Sequence, residues 1–272
     1  MPVSYTHLDV YKRQLLQETI RENKRLWLIC TALLTAGMLV CEAVYGTDAG
    51  EKLWQFFSVI PGMTGEISQN DASLTGYLGS CMFGAWFLMI PAVYSAVAAV
   101  RMAAGKMEDG SFAGLVSILG NRHRICFTQD YWMGTSLLAM FVSTGILGIL
   151  GGIVLAGYEL EIAQYLLLNL GMFCFQLMLG GFFMMISFLL KKGRKAALAV
   201  GGFLIVEYLL YALSDLNGLS ASGYLSVFSA FRPEEILLGG AVLWWKLPLW
   251  LAAGLLFYKA GSVAAARMDI PS

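Results

Sequence analysis

The chain has 272 residues, of which 58% are hydrophobic and only 13% are charged, and its mean hydropathy is +0.68. Soluble domains average about 25% charged residues, so this composition excludes a single water-soluble core and indicates an integral membrane protein. The formal net charge of zero gives no basic signature for nucleic-acid binding. Two histidines and five scattered cysteines give no metal-ligand spacing and no disulfide pattern.

Residues 1–14 differ in composition from the rest of the chain and read MPVSYTHLDVYKRQ. From Val3 to Gln14 they resemble a sequencing adapter translated in frame, so we predict that native sequence begins near Leu15. The segment has no apolar run of the kind that a signal peptide needs. The alternative is a genuine polar tail in the cytoplasm. We expect residues 15–272 to form one transmembrane domain.

Six apolar runs are long enough to cross a bilayer, because a helix rising about 1.5 Å per residue needs about 20 residues to span about 30 Å of hydrocarbon. The predicted spans cover residues 26–45, 77–100, 133–156, 165–190, 196–213 and 242–257. Two longer joining segments, 46–76 and 214–241, mix aromatic and polar residues and favour helices lying at the membrane interface. The predicted fold is therefore an all-α, polytopic bundle.

Lys and Arg residues alternate between the joining segments and predict the orientation of the spans. Thirteen lie in the N-terminal segment, the second-to-third loop, the fourth-to-fifth loop and the C-terminal tail. The other joining segments hold only Lys52 and Arg232. Because cytoplasmic loops are enriched in these residues, we predict six spans with both termini in the cytoplasm, in the plasma membrane of a cell.

The loop between the second and third spans carries a short amphipathic pattern. Asp109 and Ser111 are candidate N-caps, and Gly120-Asn121 predicts the end of a helix. Two interpretations remain open from the pattern: the helix rests on lipid headgroups, or it docks in a groove of a cytoplasmic partner. Four apolar residues at i, i+3, i+4 and i+7 define its apolar face, namely Phe112, Leu115, Val116 and Leu119.

The same region carries a family resemblance. A span that ends in Arg101 is followed by an acidic pair, two small residues, an apolar helix and Arg122-His123-Arg124. From Gly76 to Ile125 the sequence is similar to the second span and coupling helix of type-2 permeases of ATP-binding-cassette transporters (the ABC-2 family). Residues 15–27, 225–239 and 267–271 resemble that family's first amphipathic helix, its last outer segment and its C-terminal tail.

The resemblance implies the permease subunit of an ATP-driven exporter. In that family two permease subunits, identical or different, pair in the bilayer, and each coupling helix contacts a separate cytoplasmic ATPase. This chain has no GxxxxGK[ST] phosphate loop, so we expect the partner to bind ATP. We expect no catalytic residue, cofactor or metal here. The residues implied to contact the ATPase are Glu108, Asp109, Gly110, Ser111, Phe112, Leu115, Val116 and Leu119.

Three ionisable residues, Glu42, Glu207 and Lys246, lie within or at the ends of predicted spans. An ionisable group at mid-bilayer is unfavourable by about 2.5–3.5 kcal/mol on insertion scales, so each should face protein or water. Three interpretations remain open: an ion pair between Glu207 and Lys246, snorkelling of Lys246 to the interface, or a role in binding a substrate or ion.

Other functions fit parts of the sequence. An ion-driven secondary carrier would use Glu42 and Glu207, and a regulatory or immunity protein would bind a partner without transport. Glu234-Glu235 superficially resembles the acidic pair of a membrane-embedded protease, but His123 lies outside the spans, which argues against an enzyme. Glycines in the third span predict close helix packing, within the bundle or between subunits; they include Gly148, Gly151 and Gly152.

Overall fold

Eleven α-helices make up most of what this computed structural model describes, which is residues 4–58, 73–84, 86–119, 122–156, 160–214, 223–237 and 242–267. No β-strand occurs within those ranges. The helices are α1 (Ser4–Val44), α2 (Asp48–Ser58), α3 (Leu74–Leu78), α4 (Trp86–Ala99), α5 (Lys106–Glu108), α6 (Ser111–Leu119), α7 (Arg122–Gly151), α8 (Ile162–Leu190), α9 (Gly193–Ser214), α10 (Pro233–Leu237) and α11 (Val242–Arg267). Three π-helical segments adjoin them, at Gly79–Phe83, Val100–Gly105 and Gly152–Ala156.

Six of these helical stretches are long and apolar enough to cross a membrane, which confirms the predicted all-α bundle of six spans. Each overlaps one predicted span, but most start earlier or end later because the helices continue into polar flanks. The amphipathic helix predicted for residues 15–27 is part of α1, which begins at Ser4, inside the adapter-like segment. The bounds are Gln14–Val44, Leu74–Glu108, Arg122–Leu155, Ile162–Leu190, Gly193–Ser214 and Trp244–Arg267.

The outer surface of the bundle is strongly apolar. Val154, Leu198 and Leu256 are 75%, 69% and 65% exposed, and large apolar side chains are exposed on every one of the six spans. Water would solvate such a surface poorly, whereas hydrocarbon solvates it well. The chain is therefore a multi-pass membrane protein.

The most extensive helix contact joins α8 to α11, and the next joins α1 to α7. The backbones of α8 and α11 approach closely at three glycines. A Cβ on Gly181 would lie 2.7 Å from the Gly254 carbonyl oxygen, and one on Gly261 would lie 3.0 Å from Met185 Cα. Close approach through small residues is how helices pack in lipid, where no hydrophobic effect drives them together.

The two long joining segments contain short helices, as predicted for interfacial segments. The first holds α2, and the second holds α10 and a 3₁₀ turn at Phe228–Ala230. Tyr77 anchors the first by ring contacts to Tyr45 and Trp54, with centroids 5.3 and 6.0 Å apart. The remainder of these segments, at 59–72, 215–222 and 238–241, lies outside the described residues.

The described parts of the four joining segments rich in Lys and Arg meet at one end of the bundle, which we call the basic end (residues 14–25, 101–119, 122–124, 191–195 and 259–267). Their contacts are a Lys106–Glu22 ion pair of 3.1 Å, a 2.7 Å hydrogen bond from Gly193 N to Glu108 Oε2, and a 3.3 Å hydrogen bond from Arg122 Nη1 to the Ala266 carbonyl. The charge alternation read from the sequence thus corresponds to a spatial separation of the two ends.

Candidate functional site

The loop helix predicted between the second and third spans is present as α6, Ser111–Leu119. Asp109 begins it: its Oδ1 accepts a 2.9 Å hydrogen bond from Ser111 N and a 2.6 Å bond from the Ser111 hydroxyl. These bonds, that from the hydroxyl first, hold the pKa of the Asp109 carboxyl below its usual value. Of the two predicted caps, Asp109 is therefore the acceptor and Ser111 the donor.

The turn before α6 requires a glycine. Gly110 has φ +77°, in the left-handed region that side chains with a Cβ disfavour, and its carbonyl accepts the first helical hydrogen bond from Gly114 N. The Gly110-Ser111 pair that resembles a family signature therefore has a physical role, since it lets the chain leave the second span and start α6 within a few residues. The predicted stop at Gly120-Asn121 lies outside the described residues.

The apolar face of α6 packs against the chain's own core. Phe112 is 1% exposed, and Leu115 and Val116 are partly buried against the same cluster. The side chain of Leu119 lies outside the description. Phe112 is thus unable to contact a partner unless α6 first moves away from the core. The amphipathic pattern alone did not reveal this burial. The exposed side of α6 is formed instead by small residues, among them Gly114 and Ser117.

Two charged side chains next to α6 hold it to neighbouring spans. Lys106 is nearly buried and pairs with Glu22 on α1 at 3.1 Å. Glu108 accepts a hydrogen bond from Gly193 N, the first residue of α9, where the positive end of the helix dipole favours an anion. The two residues of the acidic pair Glu108-Asp109 therefore have different structural roles. Asp109 caps the start of α6, and Glu108 binds the start of the fifth span.

The ion pair considered between Glu207 and Lys246 is wrong, because both residues take other partners. Lys246 forms an ion pair with Glu235 and donates a 3.0 Å hydrogen bond to the Ala230 carbonyl. Glu235 is the second residue of the Glu234-Glu235 pair that superficially resembles a protease motif. Lys246 is therefore neither paired with α9 nor free in the interface. It ties α11 to the segment that precedes it, at the end opposite the basic end.

Glu207 binds the same outer segment from α9. Its Oε2 accepts a 2.7 Å hydrogen bond from Val227 N and a 3.1 Å bond from the Ser226 hydroxyl. The carboxylate thus satisfies a backbone donor of a non-helical segment that lies against the bundle. Glu207 and Lys246 together hold residues 226–235 to the last two spans, which gives both a structural role.

Glu42 is the third intramembrane charge, and it differs from the other two. It is fully buried, and neither carboxyl oxygen has a hydrogen-bond partner among the described residues. It lies against Gly151 of α7, while the Tyr165 hydroxyl lies against Gly148 one turn away. The glycines predicted to allow close packing therefore admit polar side chains from α1 and α8, within the chain.

Sequence reasoning missed two buried amides and one partly buried carboxyl group. Gln129 and Gln176 donate to backbone carbonyls of the second span, and Asp130 accepts a 2.8 Å hydrogen bond from the Ser262 hydroxyl on α11. A signal was present, since amides and carboxyls are rare in apolar runs. Asp130 was overlooked because the third span was predicted to begin at residue 133, whereas α7 begins at Arg122.

The described ranges contain no group of three or more His, Cys, Asp or Glu side chains able to hold a metal ion. All five cysteines are buried and unbridged. Compared with known proteins, the sequence matches no family model and no curated protein at a significant level. The functional argument therefore depends on α6 and on its two tethers, which are the Lys106–Glu22 ion pair and the hydrogen bond from Gly193 N to Glu108.

Proposed function

We propose that the chain is the permease subunit of an ATP-driven exporter in the plasma membrane. The basic end lies in the cytoplasm on this proposal, where a separate ATP-binding-cassette ATPase contacts α6. A second permease subunit, identical or different, completes the transmembrane path. The chain binds no ATP itself and carries no catalytic residue.

The observation that carries the proposal is a short helix that lies between the second and third spans and packs against the bundle. A helix that only rested on lipid would direct its apolar face to the headgroups and acyl chains. The apolar face of α6 is instead occupied by the chain's own core, with Phe112 1% exposed. Its small, polar side is left exposed, which suits contact with a soluble partner.

The tethers supply a route from α6 to the spans. A displacement of α6 acts on α1 through the Lys106–Glu22 ion pair and on α9 through the hydrogen bond from Gly193 N to Glu108. Because α6 also follows the second span and precedes the third, four of the six spans meet at this helix. A partner that moves α6 would thereby move the bundle, which is what coupling to ATP hydrolysis requires.

Co-purification tests the proposal. The chain is expressed with the ATPase encoded next to its gene, solubilised in mild detergent, and assayed for a stable complex with ATPase activity. Gly114→Arg and Ser117→Arg place bulk and charge on the exposed side of α6, where a Cβ on Gly114 meets nothing within 4 Å. Gly114→Ala and Ser117→Ala are the matched controls, since they change the same positions without adding charge.

We expect the Arg variants to lose the complex and the Ala variants to keep it, with all four folding like the parent chain. Phe112→Glu is a poor test, because it would displace α6 from the core. A lost complex could then result from the displaced helix or from a changed contact surface. A parent chain that forms no complex with any neighbouring ATPase would overturn the proposal, and a complex that survives Gly114→Arg and Ser117→Arg would place the contact elsewhere. An ion-coupled carrier or a regulatory membrane protein would then be the function to test.

A further inference from the structure

A buried carboxyl group lies far from α6, near the other end of α1. Glu42 is two residues from the end of that helix and is 0% exposed. Both of its carboxyl oxygens are buried without a hydrogen bond from any described residue, and no described Lys, Arg or His pairs with it. The burial is complete within one chain, so a second subunit is not needed to enclose it.

The donors of two polar side chains on the neighbouring part of α8 are used for other acceptors than Glu42. The nearby Tyr165 hydroxyl gives its proton towards the Thr144 carbonyl at 3.1 Å, with Met38 Sδ at 2.9 Å. Asn169, one turn along α8, donates its amide to a backbone carbonyl and leaves Oδ1 buried without a partner. Neither donor is therefore directed at Glu42, and no described group compensates the charge of a carboxylate here.

Among the described residues, two titratable groups interact electrostatically with Glu42, and both are acids that carry no charge while protonated. Cys41 is its neighbour on α1, and Tyr165 approaches from α8. The facing stretch of α7 contributes Gly148 and Gly151 and has no titratable side chain between them. None of these residues supplies a positive charge that would stabilise an ionised carboxyl.

The side of the carboxyl that faces α7 is also filled. A Cβ added to Gly151 would overlap Glu42 Oε2 and would lie 2.7 Å from Leu39 Cδ2, so these side chains pack directly on the backbone of α7. A metal ion with its ligand shell or an organic cation does not fit on this side. A proton does, and an isolated carboxyl in such surroundings takes up a proton instead of remaining ionised.

We propose that Glu42 is a proton-binding site whose occupancy is linked to the packing of α1 against α7. While α1 lies on Gly148 and Gly151, the carboxyl holds its proton. When α1 moves away and water reaches Glu42, the O–H bond breaks, the proton passes to water and the hydrated carboxylate remains. The movement of α1 thereby releases one proton, and lowering the pH favours the packed arrangement.

This inference is independent of the exporter proposal, because it concerns one chain and involves no ATPase. Infrared spectroscopy of the full chain in lipid nanodiscs at neutral pH tests the protonation directly. We expect the Glu42→Gln difference spectrum to show the loss of a protonated-carboxyl band that shifts in D₂O. Loss of carboxylate bands instead would overturn the proposal. Glu42→Met gives a second neutral replacement.

Glu207→Gln is the matched control for the spectrum. Glu207 is also a buried glutamate in a span, but its carboxylate accepts hydrogen bonds from Val227 N and the Ser226 hydroxyl. We expect its replacement to leave the protonated-carboxyl band in place. If Glu207→Gln removes that band and Glu42→Gln does not, the assignment to Glu42 is wrong.

Thiol labelling tests the link to α1 movement. Cys41 and Cys174 are equally buried, at 2% exposure each, but only Cys41 adjoins Glu42. The ratio of their labelling by a maleimide, read site by site by mass spectrometry, cancels the general rise in thiol reactivity with pH. Release of one proton allows this ratio to rise by up to about tenfold per pH unit in the parent chain. We expect no rise in Glu42→Gln, and an equal rise in both proteins would overturn the link.

Discussion

Gln176 stabilises a break in the second span, and its removal should lower the stability of the fold. Pro91 lies inside α4 and has no N–H, so the Phe87 carbonyl four residues earlier loses its helical donor. Gln176 Nε2 on α8 donates to that carbonyl at 3.2 Å and to the Leu88 carbonyl at 2.7 Å. Gln176→Leu leaves both carbonyls without this donor while keeping a side chain of similar size.

The size of the effect follows from two opposing terms. A buried acceptor left without a partner is unfavourable by about 1–3 kcal/mol. Hydrogen bonds between membrane helices measure less, about 0.6 kcal/mol on average and about 1.7 kcal/mol at most. Gln176 also carries an unpartnered buried Oε1, whose loss offsets part of the penalty. We therefore expect Gln176→Leu to lower the free energy of unfolding by about 1 kcal/mol.

A double-mutant cycle with Pro91→Ala tests the cause. Alanine restores an N–H that can reach the Phe87 carbonyl, so Gln176→Leu should be less harmful in the Pro91→Ala background. The free energies of unfolding are measured by titrating SDS into detergent micelles and following tryptophan fluorescence. Equal effects of Gln176→Leu in both backgrounds would refute the reasoning, because non-interacting sites add within about 0.3–0.5 kcal/mol.

Three further predictions concern other contacts. Gly151→Ala should destabilise the fold by about 1–3 kcal/mol, because its Cβ would overlap Glu42 Oε2, whereas Gly201→Ala meets nothing within 4 Å and should be neutral or slightly stabilising in the same SDS titration. The pKa of Asp109 is depressed in the folded chain, so its carboxylate stabilises α6 above the usual aspartate pKa, and this stabilisation is lost as the pH falls through the lowered value. Hydrogen exchange of the first α6 amides should show this loss in the parent chain but not in Asp109→Asn. Lys246→Met should speed proteolysis of residues 226–235 by removing the ion pair with Glu235, and unchanged cleavage would contradict that tether.

The span count was predictable because hydrocarbon imposes a minimum length on every apolar helix. The helix ends were not, since they depend on partners that distant parts of the chain supply. Asp130 illustrates this: within α7 it accepts a hydrogen bond from the hydroxyl of Ser262, 132 residues later in the chain. A hydropathy window cannot register a contact of that kind, and so the third span was predicted to begin too late.

The loop helix was predictable for a similar reason, because its caps are local. Asp109, Gly110 and Ser111 lie within three consecutive positions and set the start of α6 by contacts among themselves and with the next turn. Which surface of α6 faces the core depends on the position of the bundle, so Phe112 was assigned to a partner rather than to the chain's own interior. The partners of Glu207 and Lys246 were missed because both come from the outer segment, whose path the periodicity does not define.

The second span shows how such irregularities are tolerated in a membrane. Besides Pro91 it contains a π-helical segment at Val100–Gly105, after which Lys106 gives its N–H to the Ala103 carbonyl. Gln129 Nε2 on α7 donates a 2.8 Å hydrogen bond to the Met102 carbonyl in this segment. Lipid offers no hydrogen bonds, so a carbonyl freed at mid-span must find its donor on a neighbouring helix. The two glutamines that interrupt the apolar pattern of α7 and α8 therefore bind carbonyls at irregular points of the second span. These hydrogen bonds join the span that leads into α6 to two neighbouring helices.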